Sequence, residues 1–370
     1  MKIERIEAHL IRVPFDMGAA PQAFAGMNWT SVDSLFVRVT TDDGIHGWGE
    51  GWGHVACPTT IAALSSLVGP ALIGHDAGDR AGLMRRMQHR FHIHGRTGPV
   101  SYALSALEIA LWDIAGKVAR QPIATLLGGA PCTLDAYASL LRYSEPPLVA
   151  GAVERALAQG FRHLKLHEER HDAIRAARDA AGDDTWIALD TNCPWSVSEA
   201  IAHARALEPL RLAWLEEPVW PPEDHHGLAR VRAATTLPIA AGENAMSVHE
   251  LAQMFAAGAL DICQPSVIKF GGIGAVAQVA ALAHAHSVDY VPHCFYFGPG
   301  FLATLHLAAA FARDKPFEIF FGTLAASPYH DAILAPGGCI HVPDGPGLGV
   351  EPDRAVINRY RIGAPVVIAA

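Results

Sequence analysis

No apolar run in this sequence approaches the roughly 20 residues that a bilayer-spanning helix needs, so a membrane span is not expected. Cysteine is scarce. The six (Cys57, Cys132, Cys193, Cys263, Cys294, Cys339) are scattered and form no CxxC pair. That excludes a disulfide framework or a zinc site and reads as reduced thiols. Charged residues make up only 18% of the chain, and no basic residues gather into a stripe, so nucleic acid is not an expected partner. The start, MKIERIEAHLIRVPF, alternates like a strand and lacks the long apolar stretch of a signal peptide. A cytoplasmic location is therefore expected. There is no low-complexity tract. What is present is a 51% hydrophobic chain of 370 residues, enough for one large domain and a smaller one. The net charge of −9 suits a soluble protein. If the substrate is also acidic, positive charge must be supplied locally, by a bound cation or by buried lysines.

Residues 1 to about 130 read as α+β. Strand-like stretches cover Ile3–Val13 and Ser34–Thr40, and Asp42-Asp43-Gly44 is a hairpin turn signal. A helical period follows over Val100–Ala119. From about residue 135 the rhythm changes to short strands alternating with helices. The strands are Asp135–Arg142, Phe161–His167, Thr185–Asp190, Leu212–Glu217, Leu237–Glu243, Leu260–Pro265, Val288–His293 and Pro316–Phe320. Eight such units predict a parallel (β/α)8 barrel. The Gly- and Pro-rich stretch Gly337–Gly349 is expected to carry the C-terminal segment back onto the first region.

Polar residues stand at the strand ends, where such barrels carry their chemistry. They are Lys165 and His167, Asp190 and Asn192, Glu216 and Glu217, Glu243, Gln264 and Ser266, His293, and Glu318. Asp190, Glu216 and Glu243 recur at about the length of one βα unit, which makes them neighbours around the barrel mouth. Converging carboxylates repel unless a cation lies between them. Oxygen ligands select a hard cation such as magnesium. Period alone does not choose between Glu216 and Glu217, whose side chains point to opposite sides of a strand.

The strings IALDTN, AWLEEP and AAGEN resemble the three metal-ligand strands of the mandelate racemase/muconate-lactonizing family of the enolase superfamily. SALEIALWDIAGKVARQPIATLLGG resembles the helix pair of that family's capping domain, and CIHVPDGPGLGVEPD its closing segment. The resemblance implies an α/β fold, a modified (β/α)8 TIM barrel with an N-terminal α+β capping domain. The cap would span residues 1–130, completed by about 350–370, and the barrel 131–349. It implies magnesium held by Asp190, Glu216 and Glu243, and abstraction of a proton α to a substrate carboxylate. A homo-oligomer acting on a small carboxylate is also expected.

Such a proton is very weakly acidic, so a cation must stabilise the enediolate and a base must sit beside the α-carbon. Lys165 and His167, at i and i+2, share one strand face. The family usually has Lys-x-Lys here, with the second lysine as base; His167 departs from that. Its intrinsic pKa suits a base, with Lys165 tuning it. His293 matches the histidine that racemase-like members pair with an aspartate, but Ser266 stands where that aspartate is expected. His293 then serves as a weaker base or as an acid for a leaving hydroxyl. Lys269, in Lys-x-Gly-Gly, matches the muconate-lactonizing pattern and is the third candidate base. A satisfied buried histidine or a hydrogen-bonding residue remains the plain alternative for each imidazole.

Glu318, Asn192, Ser266, Trp52 and Met27 are candidate substrate contacts. The loop Phe15–Trp29 and the segment Glu50–Pro58, with Trp52 and His54, are expected to cover the site. Ala19, Ala20, Ala23, Phe24 and Met27 hint at a pocket less polar than a long sugar acid requires. His92 and His94 lack a third ligand nearby and read as a solvated turn or a cap contact. Dehydration of a hydroxylated, sugar-type acid is the first expectation. Racemisation or epimerisation, and cycloisomerisation, follow. A non-catalytic binding protein on the same fold is the rival from a different class.

Overall fold

The computed structural model describes residues 1–20, 23–24 and 27–369, with residues 23, 24 and 27 described by backbone alone. Two large sheets organise them, beside a two-stranded ribbon that pairs Ala23–Phe24 with Met27–Asn28. The first is antiparallel and contains β1 (Ile3–Asp16), β2 (Ser31–Thr41) and β3 (His46–Gly51). Along β1 the burial alternates, with Ile11 and Val13 inside and Arg12 and Pro14 outside, as a half-covered sheet requires. The expected turn at Asp42-Asp43-Gly44 joins β2 to β3. Gly44 sits there at φ 84°, and its N–H donates to the Thr41 carbonyl at 2.9 Å.

β3 reads His-Gly-Trp-Gly-Glu-Gly. A Cβ at Gly49 would stand 1.8 Å from the Ala106 carbonyl oxygen, and one at Gly47 would stand 2.2 Å from that of Ala110. Alternate glycines thus let the backbone of the helix Pro99–Ala119 close directly onto the strand. Trp48 and Glu50, between them, point to the other face.

The second sheet is parallel. Its strands are β4 (Thr133–Ser139), β5 (His163–Leu166), β6 (Trp186–Asp190), β7 (Leu215–Glu216), β8 (Ile239–Ala241), β9 (Ile262–Cys263), β10 (Asp289–Tyr290) and β11 (Phe317–Phe320). Hydrogen bonds connect them in the order β10-β9-β8-β7-β6-β5-β4-β11, so the sheet curls into a barrel. Among the described residues no ladder joins β10 to β11. A helix fills each of the seven gaps between consecutive strands. Tyr137, Ala188, Trp214, Ala240, Ile262 and Val291 form a separate buried cluster inside the barrel, where alanines make room for the indole of Trp214. The ladders are shorter than the apolar runs. β8, for example, ends at Ala241, so Glu243 lies beyond the last paired residue.

Two buried carboxylates tie the first region to the barrel. Glu50 accepts from the Gly300 N–H at 2.9 Å, in the first turn of the helix Pro299–Phe311. Glu108 accepts from Ile273 N–H at 2.7 Å and Gly274 N–H at 2.9 Å, at the start of the helix Ile273–Ala285. Each satisfies orphan donors at a helix N-terminus. Burial nevertheless pushes both carboxyls up to about 7. The chain then returns to its beginning: β12 (Val366–Ala369) pairs antiparallel with Arg5–Ala8 of β1.

Candidate metal centre and active site

Asp190 ends β6, Glu216 ends β7, and Glu243 follows β8. One carboxylate oxygen from each lies within 4.8 Å of the others. The Glu216/Glu217 ambiguity resolves geometrically. Glu217 adopts φ 46°, which swings its carboxylate out of the triplet. There it accepts from Asn244 Nδ2 at 3.0 and 2.9 Å, and from the Cys193 thiol at 3.5 Å. Burial, then the charges of Glu243 and Asp190, push it up to about 8.

Asp190 is oriented from its own turn. Asn192, at φ 55°, donates its backbone N–H to Asp190 Oδ1 at 2.9 Å. Oδ2 then points into the site, buried and without a hydrogen-bond partner among the described residues. Lys165 Nζ stands 3.1 Å from it and His167 Nε2 3.4 Å. Burial pushes the Asp190 carboxyl up, but Lys165, together with His167 in its protonated form, outweighs it and holds the group at about 2.

Lys165 is wholly buried under the triplet. Its ammonium donates to Glu216 Oε1 at 2.7 Å and to Glu318 Oε1 at 3.3 Å. Burial opposes its charge, but Glu216, Glu318 and Asp190 hold it well above the ordinary lysine range. The other oxygen of Glu216 accepts from Trp214 Nε1 at 2.9 Å and Gln264 Nε2 at 3.0 Å. Burial, then repulsion from Asp190, push Glu216 well up. On the far side Glu243 meets His293 Nε2 at 2.9 Å and Lys269 Nζ at 3.5 Å. Burial raises Glu243, yet those two partners carry it well below the usual carboxylate range.

These residues fit a divalent cation. Three buried carboxylates (Asp190, Glu216, Glu318) and the half-buried Glu243 gather around two lysines. Asp190 Oδ2 accepts no hydrogen bond among the described residues and has only ion-pair contacts, and burial and its neighbour Asp190 destabilise Glu216 as an anion. A hard cation among all-oxygen ligands relieves each of these strains.

His167 follows β5. Its Nδ1 lies 2.6 Å from the Leu140 carbonyl, which can only accept, so the proton is assigned to Nδ1. In the neutral ring the lone pair then sits on Nε2, facing the cavity. The cavity is lined by His167, Asp190, Asn192, Glu243 and His293, and by Trp52 and His54 from the first region. Met17 and Trp29, at the ends of the expected covering loop, share it. Lys269 packs behind Trp52, its ammonium 4.2 Å from the ring centroid. β9, which precedes Lys269, lies four strands round the barrel from β5, so Lys269 and His167 approach from opposite sides.

Some expected residues stand elsewhere. Glu318 does not end its strand; it is the second residue of β11 and is buried below the mouth. Both its oxygens are engaged, by Ser139 Oγ at 2.9 Å and Lys165, and by Cys294 N–H at 2.7 Å. Ser266 is also fully buried, off the cavity wall, 2.5 Å from the Tyr296 hydroxyl. Met27's side chain, like those of Ala23 and Phe24, lies outside the described residues. His92 and His94 form an exposed turn apart from the triplet.

Other residues were missed by the sequence reading. Tyr296 donates to the His293 carbonyl at 2.8 Å, with its oxygen 3.5 Å from His293 Nδ1. His293 thus has a carboxylate, Glu243, at Nε2 and a phenol hydroxyl at Nδ1. Phe295 stacks on Trp29 and lines the cavity, as does Arg142. The signal for the aromatics was the string HCFYFGPG after the seventh barrel strand.

Comparison with known proteins agrees with this architecture. Residues 6–128 match the mandelate racemase/muconate lactonizing enzyme N-terminal domain, and residues 148–356 match the enolase C-terminal domain-like family. The chain is 34% identical to D-galactarolactone cycloisomerase of Agrobacterium fabrum, over 99% of this chain and 100% of that protein. It is 32% identical to D-galactonate dehydratase of Ralstonia nicotianae, over 90% of this chain and 92% of that protein. A mandelate racemase/muconate lactonizing protein from Paracoccus denitrificans, solved with magnesium, superposes with a TM-score of 0.86 at 29% identity. That match covers 100% of this chain and 99% of the other. On the sequence matches, the two-sheet architecture and the carboxylate triplet together, the chain belongs to the mandelate racemase/muconate lactonizing enzyme family of the enolase superfamily.

Proposed function

We propose that this chain abstracts the proton α to the carboxylate of a sugar-type acid, with magnesium, and then expels a β-oxygen as water. The observation that carries the reading is the arrangement of groups around the triplet. The Nε2 of His167 stands at Asp190, while His293 stands at Glu243 on the other side of one cavity, with Lys269 also at Glu243 but behind Trp52. An elimination needs a base beside Cα and an acid beside the departing oxygen, and two proton-carrying groups on opposite sides of one cavity suit that division.

Asp190, Glu216 and Glu243 would hold the cation, which supplies positive charge to the substrate carboxylate as it gains enediolate character. His167 takes the Cα proton on Nε2, while the Leu140 carbonyl keeps Nδ1 protonated and the ring fixed. The Cα–H electron pair becomes the new double bond, and the Cβ–O bond breaks. His293 or Lys269 delivers the proton that turns the departing oxygen into water. Lys165 keeps its proton and positions Glu216 and Asp190. Trp52 walls the cavity and covers Lys269, and Asn192 offers a substrate-facing amide. Residues 1–130 with about 350–370 act as the cap and 131–349 as the barrel, in a cytoplasmic homo-oligomer.

A second reading is supported by the 34% identity to a cycloisomerase. The proton abstraction is the same, but the departing oxygen is tethered to the substrate, so a ring opens and no water leaves. Product mass separates the two. With magnesium and a panel of aldonates and sugar lactone acids, we expect a keto acid lighter than its substrate by one water. A product of unchanged mass with an opened ring selects cycloisomerisation. An epimer as the sole product contradicts elimination altogether.

A further inference from the structure

We propose that His54 is a specificity-determining residue, whose Nε2 takes a substrate hydroxyl remote from the reacting carboxylate. The proposal rests on the reading of the site as a sugar-acid active site. It adds which end of the substrate is recognised, and by what.

Four observations converge on His54. Its backbone is held at φ 40°, a left-handed conformation that is costly for a residue with a Cβ and that gathers at functional sites. Asn192, Cys193 and Glu217 share that conformation near the carboxylates, and Arg120, Ser144, Arg211, Ser287 and His330 adopt it elsewhere. The imidazole is boxed by rings, with Trp52 edge-on at 4.3 Å, Trp29 at 5.3 Å and Phe295 at 5.8 Å. Its Nε2 is buried and has no hydrogen-bond partner among the described residues. Finally, the ring lines the same cavity as His167 and Asp190. A buried ring nitrogen left unpaired is destabilising, and a ligand that satisfies it gains what the free protein forgoes.

The surroundings select the partner. Burial, then the nearby positive charges of Lys269 and His293, hold His54 down at about 4, so the ring is neutral at pH 7. A neutral His54 supplies no countercharge of its own, so its Nε2 suits an uncharged partner better than a second carboxylate. A hydroxyl both donates and accepts, so it satisfies either tautomer of the neutral ring. Asn192 provides the complementary feature. Its Oδ1 is also buried, unpartnered among the described residues and on the same cavity, and it requires a donor. Two orphaned polar atoms set among aromatic carbon match a compact polyhydroxy acid, with its carbon face on the rings and one hydroxyl at each polar atom. An aryl or alkyl 2-hydroxy acid would leave both unsatisfied.

The test measures kcat and KM of the magnesium-loaded enzyme with its preferred polyhydroxy acid and with each monodeoxy analogue of that acid. His54→Phe keeps the aromatic box and removes the polar atom; His54→Gln places an amide where Nε2 stands. The wild type is expected to favour the parent acid over one of the deoxy analogues by about 10- to 100-fold in kcat/KM. His54→Phe should lose that preference, mainly through KM, and turn over that analogue as the wild type does. His54→Gln should keep it. A Phe variant that still discriminates as the wild type does overturns the role of His54 and leaves the proton-abstraction reading standing. If wild-type enzyme with magnesium acts on no sugar acid, the proton-abstraction reading fails, and this proposal fails with it.

Discussion

Glu216→Gln is expected to abolish magnesium binding in isothermal titration calorimetry and to lower turnover by at least about 10³-fold. Glu217→Gln should leave magnesium affinity within about tenfold of wild type, the size of effect typical of a group outside the ligand set. Adjacent glutamates in one sequence make this contrast informative. Their charges, chain positions and burial are nearly the same, and only the direction of the carboxylate differs. Glu216 faces Lys165 and the triplet. Glu217, turned by its left-handed backbone, faces Asn244 and Cys193. Because Lys165 also bridges to Asp190, the Gln variant should keep its fold, which circular dichroism would verify. The opposite pattern, with Glu217→Gln losing the metal, would mean that the carboxylates are in the wrong register.

His167→Asn should lower turnover by about 10²–10⁴-fold, the usual contribution of a general base, while magnesium affinity stays nearly unchanged. The imidazole touches Asp190 at 3.4 Å but supplies none of the three clustered carboxylates. Its value to the reaction is the Nε2 lone pair, fixed by the hydrogen bond from Nδ1 to Leu140. Lys269→Met and His293→Asn complete the comparison. If His167→Asn keeps near-normal α-proton removal and Lys269→Met loses it, the base is Lys269. If only His293→Asn loses it, His293 works alone, with the Tyr296 hydroxyl and not a carboxylate at its Nδ1.

What the sequence made legible, and what it did not, follows the range of the forces involved. The hairpin at Asp42–Gly44, the helix over Pro99–Ala119 and the eight barrel strands come from local periodicity and turn chemistry, which act within a few residues. The triplet was legible because one βα unit repeats its length. Features set by tertiary contact were not. Glu318 looked like a strand end because it is polar. The end of β11 is instead set by its ladder to β4, which runs through Phe320↔Ser139. The orphaned nitrogen of His54 depends on Trp29 and Phe295, from distant parts of the chain. The alternate glycines of β3 were readable in principle. Gly-Trp-Gly-Glu-Gly announces a strand with one bare face, but only the helix packed on that face explains why it must be bare.

The central claim is that a magnesium-loaded carboxylate triplet enables removal of a proton α to a carboxylate. Proton NMR in deuterated water tests it most directly, by following the Cα position of a sugar-acid panel with enzyme and magnesium. The account predicts loss of the Cα proton signal of at least one acid, with solvent deuterium in the product or the recovered acid. The same sample treated with EDTA, and the Asp190→Asn variant, should show neither. Binding of a sugar acid with no loss of its Cα proton in the presence of magnesium would contradict the account and mark the protein as a binding module on an enzyme fold.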